Sequence, residues 1–168
     1  MAFQLTSVPG SRRANRLGCV FVPLALAAWY ALGCSENVSR FTAEVRDVED
    51  TLSSTPQGSE ASVIYRVPPG VSATLVFLPA ATRAAYGELR ASGLPAELAR
   101  RIAGELEGVG KRQRPMLVVA QSERLTFSSA FADFADVTDV VFGNCSGRCR
   151  VTLRAAGPGV RPRVVKVG

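Results

Sequence analysis

Two cysteines near the C-terminal end of the chain, Cys145 and Cys149, have a spacing that implies covalent chemistry. Only three residues, Ser-Gly-Arg, separate them, and apolar and polar residues alternate on both sides. Because successive side chains of a strand point to opposite faces, both cysteines fall on the apolar faces of two strands joined by a turn. In an oxidising compartment this arrangement predicts a cross-strand disulfide. The alternative is a redox-active pair, although thioredoxin-like sites have two intervening residues and lie near a helix start.

Histidine is absent from all 168 residues. That absence excludes a Ser-His-Asp or Cys-His catalytic site and a histidine-ligated zinc or haem site. The Gly-Lys pair at Gly110 lacks the spaced glycine and the following Ser or Thr of a phosphate-binding loop. We therefore predict no catalytic residue, no cofactor and no metal, and a protein that is not an enzyme.

Carboxylates offer the one alternative route to catalysis. Asp133, Asp136 and Asp139 are spaced by three and could share a helical face, with Glu123 nearby in sequence. Such groups could supply an acid/base pair for a hydrolase or lyase, with Glu123 and Asp136 as the candidates. The stretch lacks the alternating oxygen ligands and turn-making glycine of a calcium loop. The interpretation we favour is that these carboxylates are solvated and cap short elements.

Two clusters of basic residues are candidate sites for anions. The first consists of Lys111, Arg112 and Arg114, and the second lies on one predicted strand face and consists of Arg148, Arg150 and Arg154. Guanidinium groups bind phosphates and carboxylates well, so lipid phosphates or peptidoglycan carboxylates are possible ligands. The alternative for both clusters is an ordinary solvated surface.

An apolar run at residues 17–32 follows three arginines and precedes the pair Gly33-Cys34. As a helix this run extends about 24 Å, and a stable membrane span usually needs about 20 apolar residues. Pro23 also removes one helical hydrogen bond. A short apolar run with a basic head is typical of an export signal, whose positive end stays in the cytoplasm.

The residues Ala31-Leu32-Gly33-Cys34 resemble the lipobox of bacterial lipoproteins. The resemblance implies removal of residues 1–33, acylation of Cys34 by palmitate-type chains, and a membrane-anchored protein that faces the periplasm. Ser35 in place of Asp favours the outer membrane if the bacterium is Gram-negative. Ala31 stands where the family usually has Leu, and Leu32 where it has Ala or Ser. An uncleaved signal anchor and ordinary secretory cleavage therefore stay open.

Without residues 1–33 the charge balance becomes ordinary. The whole chain has a formal charge of +6, but three basic residues and none of the 14 acidic ones lie in that segment. The remaining excess of 17 basic over 14 acidic residues is about +3. Such a charge is typical of a soluble domain, so we predict no nucleic-acid partner.

Residues 34–60 are polar and predict a tether, followed by a single domain at 61–168. Strand patterns at 61–67 and 71–78 flank Pro68-Pro69-Gly70 and predict a hairpin or two neighbouring strands. Helices are predicted at 80–91 and from Pro95 to about residue 107. Further strands are predicted at 116–120, 125–127, 138–145, 149–154 and 162–167. The pattern predicts an α+β fold, in which a two-helix segment covers a small mixed or antiparallel sheet with a disulfide-pinned hairpin near its C-terminal end.

Together these features predict a membrane-anchored envelope lipoprotein that serves as a non-enzymatic binding, adaptor or assembly-accessory module with a protein partner. The alternatives are a periplasmic carboxylate-based hydrolase or lyase and a small-ligand-binding lipoprotein. A shallow apolar patch rimmed by arginines favours the first function. A deep pocket with two converging carboxylates favours the second, and an enclosed apolar cavity favours the third.

Overall fold

The computed structural model describes the backbone of residues 24–168 and the side chains of residues 36–168. Most of the predicted signal peptide therefore lies outside the described residues, and so does the side chain of Cys34. The helices are α1 (Leu24–Ser53), α2 (Tyr86–Ala91) and α3 (Ala96–Glu105), with a 3-10 helix at Ala130–Asp133. The strands are β1 (Glu60–Arg66), β2 (Ser72–Leu78), β3 (Met116–Gln121), β4 (Arg124–Ser128), β5 (Val141–Ser146), β6 (Arg148–Arg154) and β7 (Arg163–Val167).

The strands form an antiparallel sheet in the order β1-β6-β5-β2-β3-β4, with β7 paired to β6. This confirms the predicted α+β class. The predicted hairpin of β1 and β2 is wrong, because β6 and β5 lie between these strands. Their period-two patterns identified both strands, but such a pattern carries no information about which strand pairs with which.

The sheet divides into two parts at the turn between β5 and β6. These strands pair only at Ser146 and Arg148, and β7 then occupies the position beside β6. Where β7 passes β5, a Cβ atom on Gly143 would lie 2.6 Å from the carbonyl oxygen of Val167. That approach requires glycine, so Gly143 permits the crossing that separates the two parts.

Strands β2 and β3 are buried on both faces. Leu75 and Phe77 of β2 belong to a core cluster on one face, and Val76 and Leu78 belong to a second cluster on the other. Helices α2 and α3 close the second cluster, where Leu89 and Ile102 are among the fully buried side chains. The two-helix cover predicted from the sequence is therefore confirmed.

Helix α1 covers the first cluster, which corrects the predicted tether at residues 34–60. Its apolar residues recur at spacings of three and four and contact this cluster; they are Val38, Phe41, Val45, Val48 and Leu52. Phe41 lies edge-on to Tyr65, with ring centroids 5.4 Å apart, and stacks on Phe131 at 6.5 Å. The segment is polar on average because the stripe is narrow, yet such a stripe is sufficient for packing. Helix α1 also lies along β1, the edge strand of the sheet.

We expect Phe41→Ala to lower the free energy of unfolding by about 3–5 kcal/mol, because it leaves a cavity between α1 and the sheet. Urea unfolding followed by circular dichroism measures this change. Asp47→Ala is the matched control, since Asp47 is exposed on the same helix and its loss should cost about 0.5 kcal/mol or less. Equal stability of the two variants would contradict the packing of α1.

Candidate anion-binding face

The outward face of β1, β6 and β7 concentrates basic side chains. Alternation along each strand buries residues such as Tyr65, Cys149 and Val151 and turns their neighbours to solvent. Five exposed cations result from the alignment of the three strands, and we call them the basic face: Arg66, Arg148, Arg150, Arg154 and Lys166. All of these residues except Arg66 line an open depression of about 840 Å³, and Ile64 and Ala61 are among its apolar lining residues.

One carboxylate neutralises one end of the basic face. Glu60 lies directly opposite Arg154 in the register of β1 and β6, and its Oε1 accepts a hydrogen bond of 2.8 Å from Arg154 Nε. Within residues 36–168, the side chains of Arg66, Arg148, Arg150 and Lys166 form no ion pair or hydrogen bond. Four positive charges without an ion pair therefore remain on this face.

The register also places two of these charges directly opposite each other, namely Arg66 and Arg148. The backbone N–H and C=O of Arg150 both bond to Gly168, at 2.8 and 3.0 Å, so they point away from β1. By alternation Arg66 and Arg148 form a pair without mutual backbone hydrogen bonds, in which Cα atoms are about 4.5 Å apart. Like charges in this position destabilise a sheet, and a bound anion would remove that cost.

No protein-family model, no curated protein and no solved structure matches this chain. No helix among the described residues is long and apolar enough to cross a membrane.

The sequence identified Arg148, Arg150 and Arg154 as one cluster, and the structure brings these three together. Arg66 and Lys166, which join the face from neighbouring strands, were not identified from the sequence. The alternation of each strand indicated that both residues are exposed. Only the pairing of β6 with β1 and β7 shows that they share a surface with Arg148.

The first basic cluster does not join this face. Lys111, Arg112 and Arg114 lie in the loop before β3, and Arg114 Nη1 is 3.5 Å from Asp133 Oδ1. Arg112 is half-buried and its Nη1 lies 3.9 Å from the sulfur of Met116. Burial lowers the pKa of this guanidinium, while the negative charge of Glu88 opposes the shift. Arg112 and Arg114 thus have separate contacts, and Lys111 is exposed without an ion pair among the described residues.

The candidate carboxylates are also dispersed. Asp133 and Asp136 line an open depression of about 700 Å³ that includes Pro115, the residue before β3. Glu123 lies in the turn after β3, one strand length or about 20 Å away. Asp139 is outside the depression and accepts a hydrogen bond of 3.1 Å from Thr138 Oγ1. In the part of the chain that the structure describes, no three Cys, Asp or Glu residues are grouped to hold a metal ion.

A half-buried carboxylate of α1, Glu49, lies close enough to Asp136 for their charges to interact. Burial is the main cause that raises the pKa of Glu49, and the positive charge of Arg161 opposes it. No sequence pattern indicated this contact, because it depends on the packing of α1 against the core, which the predicted tether did not include.

A disulfide joins Cys145 and Cys149, as predicted. Both residues are buried, and the bond lies where β5 and β6 diverge. Gly147 has a φ of +72° in the intervening turn, a conformation that glycine adopts without strain. Burial limits attack by external thiolates, so the geometry favours the structural role over the redox-active one.

We expect Arg148→Gln to raise the free energy of unfolding by a few tenths of a kcal/mol, because it removes the repulsion from Arg66. Urea unfolding at about 0.02 M and about 0.5 M salt should show that the gain shrinks as screening increases. Arg154→Gln is the control and should have the opposite sign, since it breaks the pair with Glu60. A loss of stability in Arg148→Gln at low salt would contradict the repulsion.

We expect the double variant Cys145→Ala/Cys149→Ala to fold with a free energy of unfolding lower by about 2 kcal/mol, the loop-closure value for so short a ring. Thermal and urea unfolding measure this difference, and the wild-type protein after chemical reduction is the control. If glutathione at a cytosolic redox potential reduced the native pair readily, the bond would be redox-active instead.

Proposed function

We propose that this protein is a membrane-anchored lipoprotein of the cell envelope that acts as a non-enzymatic binding or adaptor module, with the basic face as its binding surface. The observation that carries the proposal is the set of four cations without ion pairs, among the described residues, on one solvent-facing sheet surface. A fold that needed these residues only for solubility would gain nothing from placing Arg66 opposite Arg148.

The anchor part of the proposal depends on the lipobox resemblance at Cys34. The backbone of α1 begins at Leu24 and continues to Ser53, so Cys34 belongs to the helix that packs against the core. An acyl group on Cys34 would hold the domain close to the bilayer, because the separation from Phe41 is seven residues, or about 10 Å along the helix. In this proposal the domain faces the periplasm, and Ser35 favours the outer membrane in a Gram-negative cell.

The dispersed carboxylates favour binding over catalysis. Glu123 and Asp136 lie at opposite ends of β3, and Asp133 is engaged by Arg114. An open depression lined by Ile64 and Ala61 together with three arginines fits a docking module. These features support the adaptor function more than a hydrolase, a lyase or a carrier of small apolar ligands.

We expect cells that express the wild-type protein to incorporate labelled palmitate into it, and Cys34→Ala to abolish the label. Cys19→Ala is a matched control, since Cys19 also follows Leu-Gly but lacks a preceding apolar run, and it should keep the label. Cell fractionation should find the acylated protein with the membranes. Palmitate that persists in Cys34→Ala, or a wild-type protein without palmitate, would refute the anchor.

A further inference from the structure

Helix α1 runs antiparallel to β1, so its residues 37–44 lie beside the Arg66 end of the basic face. Arg40, Phe41 and Glu44 of the helix share a small cleft with Ile64 and Arg66 of β1. At the C-terminal end of α1, the carbonyl of Ser53 accepts a hydrogen bond of 3.2 Å from the backbone N–H of Gly159. Residues 58–59, which lie between this end of α1 and the start of β1, form backbone hydrogen bonds with Ala155, the residue after Arg154. The predicted acylation site and Arg66 are therefore on the same side of the domain.

The number of unpaired charges on the basic face also differs between the end near Cys34 and the end far from it. Arg154 forms its ion pair with Glu60 at the end that lies far from Cys34. Arg66 and Arg148, which have no partner, lie at the near end, a seven-residue strand or about 20 Å away. Fields of exposed charges fall off over about 8 Å at physiological ionic strength. The near end is about 10 Å along the helix from Cys34, close to this distance, whereas the far end lies about 20 Å beyond it.

We infer that the end of the basic face formed by Arg66 and Arg148 binds the phosphate headgroups of anionic phospholipids in the membrane that holds the anchor. This inference rests on the anchor of the proposed function and names the ligand of its binding surface. The planar guanidinium matches a phosphate with two parallel hydrogen bonds, and arginine is preferred over lysine for that reason. One phosphate between Arg66 and Arg148 would satisfy both and remove their repulsion.

The expected consequence is a fixed orientation of the domain. Anchored at Cys34 and held by phosphates at Arg66 and Arg148, the domain would stand with the C-terminal end of β1 and the N-terminal end of β6 toward the bilayer. The pair of Arg154 and Glu60 would then be directed into the periplasm. The pairing of Arg154 with Glu60 is consistent with this orientation, because no phosphate surface would lie there to bind Arg154.

The test is photo-crosslinking of the full-length, acylated protein in vesicles of phosphatidylcholine that contain a photoreactive phosphatidylglycerol. The reference vesicles contain a photoreactive phosphatidylcholine, and mass spectrometry locates the crosslinks. We expect crosslinks from phosphatidylglycerol in the peptides that contain Arg66 and Arg148. Each basic residue near an anionic leaflet contributes about a fivefold factor, so Arg66→Gln/Arg148→Gln should lower their yield by about 25-fold.

Lys111→Gln/Arg124→Gln is the matched control, because it removes two exposed positive charges outside the basic face. Its crosslink yield should equal that of the wild-type protein, and circular dichroism should show that both variants fold. Crosslinks that are absent from the basic face, or equal with the two lipids, would overturn the lipid inference. The inference would also fall if the same arginines crosslinked to an acidic envelope protein in isolated envelopes and not to lipid.

The palmitate label on Cys34 distinguishes a failure of the lipid inference from a failure of the proposed function. If the label is present and the arginines show no preference for phosphatidylglycerol, the anchor stands and only the lipid ligand is refuted. If the label is absent, the proposed function itself fails and the inference fails with it.

Discussion

The burial of β2 and β3 on both faces is the constraint on which the rest of the structure depends. Strands with two apolar faces need a cover on each side, since an uncovered face would leave large apolar side chains in water. Helices α2 and α3 provide one cover, where Ile102 and Leu89 pack against the sheet. Helix α1 provides the other through Phe41 and Val45. The position of α1 beside β1, and with it the direction from which a membrane anchor would approach, follows from this need.

The elements themselves were largely predictable, because their signals are local. Alternation identified β1, β2 and β6, and the four-residue spacing of Leu98, Ile102 and Leu106 identified α3. The covalent link of Cys145 to Cys149 was equally local, since a short turn between two strands determines it. Helix α1 was missed because its apolar stripe is diluted by charged residues, although the spacing of Phe41, Val45 and Leu52 is visible in the sequence.

The pairing of the strands could not be predicted from the sequence. A strand pattern tells which side chains face outward, but it does not identify the neighbouring strand. Arg148 and Arg150 were recognised because they share one strand, whereas Arg66 is 82 positions earlier in the chain than its partner Arg148. The choice of partners depends on the departure of β5 from β6 and the entry of β7, which Gly143 permits. Such a contact is visible only after the strands have been assembled.

The continuity of α1 has a mechanical consequence. In the proposed mature protein a single helix carries the chain from Cys34 to Ser53, a length of about 30 Å, and its residues from Val38 onward contact the core. No flexible segment lies between Cys34 and the part of the helix that packs against the core. A force applied along the N-terminal part of the helix would be transmitted as shear between Phe41 and Tyr65, the interior contact between α1 and the edge strand. When the domain is pulled at its N-terminal end, α1 would move as one rigid body. The contact between these two aromatic rings would be expected to break first.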